Sequence, residues 1–213
     1  MILGVLNQKG GVGKTTVCLN LAAFYARAGM RVLVVDADPQ ASALAWSNAR
    51  EAPPLFPVIG IVTPLLHRKL PDIAADYDIT LIDGAPRASV LGRAAILASD
   101  LVLIPVQPSP FDVWATDKTE ELVREARQFK KNLRAVFAVN RKIVNTAIGR
   151  DVTAALADAP FPLLSTALCQ RVIYAESAAK GLSVIEADEH SEAAREIAFL
   201  AGAVLANTER LAA

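Results

Sequence analysis

The chain has 213 residues, enough for one domain with a substantial core. Hydrophobic residues make up 53% and charged residues 21%, which excludes a disordered chain. Lys plus Arg and Asp plus Glu both number 22, so attraction to DNA or acidic lipid must come from a local patch and not from net charge.

Residues 2–7 form a short apolar run that reads as a buried strand. A glycine-rich loop follows, and residues 15–28 carry a helical pattern closed by Gly29. Val32–Asp36 is a second strand and residues 41–49 a second helix. Residues 52–57 hold three prolines and form a loop or an edge. Ile79–Asp83 is a strand, 89–98 a helix, and Leu101–Val106 a strand that runs into a rigid proline-rich stretch at 105–110. Residues 112–129 read as a helix, 135–140 as a strand and 150–157 as a helix. The last segment, 191–211, has helical apolar spacing through Ile197, Leu200, Ala201, Val204 and Leu205, which predicts that it packs back on the sheet. Alternating strand and helix predict an α/β fold: a doubly wound, mostly parallel sheet with helices on both faces, forming a single domain over 1–213.

Cys18 and Cys169 have no metal-ligand spacing and read as reduced thiols. No window of 18 apolar residues and no signal-like N-terminus is present, so a cytoplasmic location with no membrane anchor is expected.

The loop reads Lys9-Gly10-Gly11-Val12-Gly13-Lys14-Thr15-Thr16. Between a strand and a helix, this is a phosphate-binding P-loop. Gly10, Gly11 and Gly13 are expected to take backbone conformations closed to other residues, so that N–H groups converge on phosphate oxygens. The helix N-terminus adds its positive dipole end. Lys14 can reach the β- and γ-phosphates and the Thr15 hydroxyl can ligate Mg²⁺. Two acidic stations end strands on the same side of a parallel sheet: Asp36-Ala37-Asp38-Pro39-Gln40, and Asp83 before Gly84. Carboxylates there can hold Mg²⁺ through water.

Lys9-Gly-Gly-Val-Gly-Lys14-Thr-Thr, Asp36-x-Asp38-Pro-Gln40 and Asp83-Gly-Ala-Pro86 together resemble the ParA/MinD family of ATPases with a deviant P-loop. The proline run at 105–110 and Asn140-Arg141-Lys142 are most similar to the short, ParF-like partition ATPases, which lack a separate N-terminal DNA-binding domain. The resemblance implies an ATP- and Mg²⁺-dependent sandwich homodimer with weak intrinsic hydrolysis. Lys9 would cross to the partner's phosphates and neutralise charge in the transition state. Lys14 and Thr15 would act within one subunit, and Val12 and Thr16 would complete the loop. Asp38 would position the attacking water, Asp36 and Asp83 would support Mg²⁺, and Asn140 and Arg141 would contact adenine. A ParB-like adaptor would stimulate hydrolysis, and the dimer would hold nonspecific double-stranded DNA on the nucleoid to segregate plasmid or chromosome.

Seven basic residues and no acidic one lie between Arg127 and Arg150, which points to a phosphate-contacting patch. Lys130, Lys131, Arg134, Lys142 and Arg150 belong to it. Arg171 and Lys180 flank a segment that resembles the family's DNA-contacting region. Three other readings remain open. The same ATPase could position a protein cargo such as a chemoreceptor cluster or microcompartment. A MinD-like membrane role needs a basic amphipathic tail, which residues 207–213 lack. A redox role like the nitrogenase iron protein needs two suitably placed cysteines.

Overall fold

Strands without polar alternation must be covered on both faces, and the chain supplies helices to do so. The computed structural model describes residues 1–86, 90–144, 152, 155–156 and 159–209. Among these, the chain runs β1 (Ile2–Val5), α1 (Lys14–Arg27), β2 (Val32–Asp36), α2 (Ser42–Asn48), β3 (Val58–Gly60), α3 (Leu66–Ala74) and β4 (Ile79–Asp83). It continues through α4 (Val90–Ala98), β5 (Leu101–Val106), α5 (Pro110–Trp114), α6 (Thr116–Arg127) and β6 (Arg134–Lys142). β7 (Leu163–Cys169), α7 (Ile173–Ala178), α8 (Val184–Ala187) and α9 (Glu192–Glu209) complete the order. The sheet is ordered β3-β2-β4-β1-β5-β6-β7 and every pairing is parallel.

The doubly wound reading is therefore correct, and the five expected strands are present. β3 and β7 are additions at the two sheet edges. β3 is only three residues long and β7 mixes Ser165 and Thr166 into its apolar pattern, so neither carries a strong strand signal. α3 contains Pro71, which weakens a sequence-based helix signal, yet it buries Leu66 and Leu70. The helix expected over 112–129 is two helices, α5 and α6, joined at Ala115. The helix expected over 150–157 lies mostly outside the described residues, as does Ser89 at the start of α4.

Successive strand residues point to opposite faces, which creates two apolar layers. Leu3, Val5, Val34, Leu81, Leu103 and Val136 pack with α1 and α9 on one face. Ile2, Val35, Ile82, Val102, Ile104 and Phe137 pack with α3, α4 and α6 on the other. The Tyr25 hydroxyl donates to the Ala201 carbonyl at 3.1 Å and joins α1 to α9. A buried strut fixes the 46–56 segment against the turn before α8. Arg50 pairs with Glu186 at 2.5 Å and also donates to the carbonyls of Pro53 and Gly181. Glu186 caps α8 through a reciprocal bond with Ser183. Burial alone would raise the Glu186 pKa, but hydrogen bonds from Arg50 and Ser183 win and lower it.

β1 lies at the centre of this sheet, between β4 and β5. The loop that leaves its C-terminal end is flanked by the ends of β2, β4, β5 and β6. That placement assembles the site.

Candidate nucleotide-binding site

The segment between β1 and α1 turns on two glycines. Gly11 has φ +77° and Gly13 φ +88°, a region that side chains disfavour. Gly13 is also the residue before α1, and a Cβ there would overlap the Asn140 amide nitrogen. Gly10 differs from expectation: it is not in the left-handed region, and a Cβ there would meet nothing closer than Pro86 Cβ at 3.9 Å.

Side chains from the loop itself and from elsewhere hold the loop's carbonyls. Lys14 Nζ donates to the Lys9 carbonyl at 3.1 Å. Gln107 Nε2, beyond β5, donates to the Gly11 carbonyl at 2.8 Å. Asn140 Nδ2, in β6, donates to the Val12 carbonyl at 2.7 Å. Asn7 bridges the Lys9 N–H and the Pro105 carbonyl. Val12 is buried, and Thr15 and Thr16 open α1 half-buried.

The acids divide their work. Asp36 is fully buried and its oxygens accept from the backbone N–H groups of Asp38, Ala43 and Leu44 at 2.9–3.1 Å. It thus holds the first turn of α2, a role its sequence position does not reveal. The expected water-mediated support of Mg²⁺ by Asp36 would be additional to these three amide contacts. Asp38 is half-buried and accepts from the Gln40 N–H at 3.0 Å. Asp83 is 1% exposed, and neither of its oxygens has a hydrogen-bond partner. Burial, reinforced by the negative charges of Asp36 and Asp38, pushes its pKa up to about 7. The Thr15 side chain and Lys14 pull the other way. A buried carboxylate facing a hydroxyl has the oxygen-donor chemistry that a hard divalent cation takes. Burial lowers the Lys14 pKa, while Asp83 and Asp38 oppose the shift.

Lys9 makes an ion pair with Asp112 of α5 at 2.7 Å, and Asp112 is itself buried. On either side of Asp112, Phe111 and Trp114 stand exposed in an edge-to-face pair. Sequence reasoning did not single out Asp112 or Gln107; the proline-rich stretch that positions both was the available signal.

Next to Thr16 and Asn140 a cavity of about 920 Å³ is lined by Arg141, Gln170, Arg171 and Tyr174 among others. The Tyr174 hydroxyl and Arg171 Nε are buried there without hydrogen-bond partners. Asn140 is buried, whereas Arg141 is exposed and adopts φ +54°.

The basic residues do not form one patch. β6 starts at Arg134 and ends at Lys142, a span of about 26 Å at the usual rise per residue. Lys130 and Arg134 lie at the end of the sheet opposite the P-loop. Lys130 pairs with Asp100 at 2.8 Å, and Arg134 donates to the Asn207 carbonyl at 2.7 Å. Lys131, exposed, is beside them. Lys142 lies at the loop end, where its carbonyl accepts from Gln170 N. Arg171 follows and pairs with Glu196 at 2.6 Å; Lys180 is exposed after α7. Arg150 is outside the described residues. The correction is physical: a strand separates charges that are neighbours in sequence.

Among the described residues, no group of three or more His, Cys, Asp or Glu side chains is arranged to hold a metal ion, and no helix is long and apolar enough to cross a membrane. Cys18 is buried and Cys169 half-buried, both free.

The sequence matches the model of the CobQ/CobB/MinD/ParA nucleotide binding domain over residues 3–184. The maintenance of carboxysome distribution protein A of Halothiobacillus neapolitanus is 32% identical over 189 residues, covering 86% of each chain. A putative plasmid partition protein from Borrelia burgdorferi B31 bound to AMPPNP superposes with a TM-score of 0.79 at 19% identity, over 97% of this chain and 98% of that one. MinD from Pyrococcus horikoshii OT3, complexed with Mg-ADP, superposes with a TM-score of 0.78 at 22% identity, over 95% of each. At these identities the two structures speak to the fold, which is that of an α/β P-loop nucleoside triphosphatase.

Proposed function

The chain belongs to the CobQ/CobB/MinD/ParA nucleotide-binding family, and on that premise we propose that it is a partition ATPase that uses ATP·Mg²⁺ to switch between monomer and sandwich dimer. The observation that carries this is Asp83: buried, without a close hydrogen-bond partner, and facing the Thr15 hydroxyl and Lys14. Mg²⁺ would neutralise phosphate charge there, held by Thr15 and Asp83. Loop amides and Lys14 would bind the phosphates. Asp38, half-buried at the end of β2, would hold the attacking water. The base would occupy the cavity beside Thr16, Asn140 and Arg141.

Lys9 has a partner to leave before it can serve a second subunit. Its pairing with Asp112 places it on the same surface as Phe111 and Trp114. Reaching a partner's phosphates would exchange one carboxylate for a polyphosphate of higher charge, which favours the exchange electrostatically.

Nonspecific duplex DNA would be held by Lys142, Arg171 and Lys180 at the loop end of the sheet. Two copies in one dimer would raise avidity without new contacts. A ParB-like adaptor would stimulate hydrolysis and thereby release the DNA. The second reading keeps this ATPase and changes its cargo to a protein assembly. The similarity to a carboxysome distribution protein across most of both chains favours it.

Phosphate release by the purified protein tests the first step. Activity that needs Mg²⁺ and vanishes in Lys14→Ala supports the proposal; turnover retained in that variant refutes it. A fluorescent fusion in the native host separates the cargoes. Foci that follow plasmid or chromosome origins support DNA partition, and foci that follow a protein assembly support the second reading.

A further inference from the structure

In a planar peptide unit the C=O and the following N–H point in opposite directions. Whatever holds a carbonyl therefore aims the next amide. In the P-loop, Gln107 holds the Gly11 carbonyl and Asn140 holds the Val12 carbonyl. The amides so aimed belong to Val12 and Gly13. The positive φ of Gly11 and Gly13 lets consecutive peptide units turn so that these amides share one concave side.

Asn140 is committed at both ends of its amide. Nδ2 donates to the Val12 carbonyl at 2.7 Å, and Oδ1 accepts from the Arg141 N–H at 2.9 Å. The two partners, one acceptor and one donor, fix which end is which. The side chain is buried and packs where a Cβ on Gly13 would be. That is a poor description of a residue whose work is to read a base, and a good description of a brace.

We infer that Asn140 and Gln107 are positioning residues for phosphate binding, acting through the carbonyls of Val12 and Gly11 to aim the loop amides at a polyphosphate. The inference rests on the nucleotide reading above and changes the role expected of Asn140. Gln107, just beyond the end of the neighbouring strand β5, is its half-exposed counterpart.

The test compares Mg·ATP with inorganic tripolyphosphate, which has no base, by titration calorimetry. Asn140→Ala and Asn140→Asp should weaken both ligands by the same factor, about tenfold, since neither can donate to the Val12 carbonyl. Gln107→Ala should weaken both about threefold, because its bond is more exposed to water. In ¹⁵N-labelled protein, tripolyphosphate should shift the Gly13 amide resonance in the wild type and shift it less in the variants. An Asn140 variant that loses ATP affinity but keeps tripolyphosphate affinity is a base contact, and overturns the inference. Unchanged affinity for both ligands overturns it too. If both Asn140 variants fail to fold, Gln107→Ala decides, and unchanged affinities in it count against the brace. A wild-type protein that binds neither ligand overturns the nucleotide reading instead.

Discussion

Replacing Asp83 with Asn should change how stability depends on pH. In the folded chain the Asp83 carboxyl titrates at about 7; its ordinary value is 3.8. Burial is the main cause, and the charges of Asp36 and Asp38 add to it. Between those two values the folded state holds a proton that the unfolded state has released. Folding stability from this group is therefore fully present below 3.8 and is lost as pH rises through about 7. The whole interval corresponds to about 4 kcal/mol, of which about 2–3 kcal/mol falls between pH 5 and pH 8. Asn does not ionise, so Asp83→Asn removes this slope while keeping size and shape. Urea denaturation of both proteins at several pH values, with EDTA and no nucleotide, measures it. The variant should gain about 2–3 kcal/mol on the wild type from pH 5 to pH 8, and Mg·ATP should stabilise the wild type more than the variant at pH 8. Parallel stability profiles would refute the reasoning, since they would mean that Asp83 is ionised or solvated like an ordinary carboxylate.

Other perturbations test separate parts of the molecule. Lys9→Ala should abolish the dimer formed with a non-hydrolysable ATP analogue, and Asp112→Asn should promote it at lower analogue concentration; light scattering reads both, and a normal Lys9→Ala dimer sinks the cross-subunit role. Arg50→Ala strands the partly buried Glu186 and should cost about 2 kcal/mol in chemical denaturation at pH 7. Part of that loss should return on acidification, as Glu186 takes up a proton. Lys142→Glu should weaken ATP-dependent DNA binding and lower its salt slope by about one or more, while Lys131→Glu at the opposite end should leave both unchanged; the reverse pattern would restore the single-patch reading.

The fold was legible where strands are apolar and buried on both faces. β1, β2, β4, β5 and β6 announce themselves, and so does the glycine loop after β1. The edges were not legible, because an edge strand needs burial on fewer sides and β3 is only three residues long. The placement of Lys14, Thr15 and Asp83 around one loop was legible because the strand–loop–helix pattern that sets it is local. Legibility failed where chemistry depends on folding. Asn140 meets Val12 across 128 positions, Gln107 meets Gly11 across 96, and Lys9 meets Asp112 across 103. No spacing rule reaches that far. Asp36 shows the same limit at shorter range: its position does not reveal that α2 bends back and places its first amides on the carboxylate.

The charged groups around the loop share one property. Lys9 is paired with Asp112, Lys14 donates to a carbonyl of its own loop, and Asp83 has no hydrogen-bond partner. None of these arrangements satisfies the full capacity of its group. Lys14 carries three donors and uses one on Lys9, and Asp83 offers about four lone-pair sites with only the Thr15 hydroxyl facing them. A polyphosphate with a divalent cation would supply partners to all three at once. Asp83 would then favour its charged form, Lys14 would recover its ordinary basicity, and Lys9 would have a stronger anion than Asp112 within reach. These changes share one ligand, so they are linked in free energy. Coupling of that kind is what the proposed switch between monomer and dimer requires, whichever cargo such a dimer would carry.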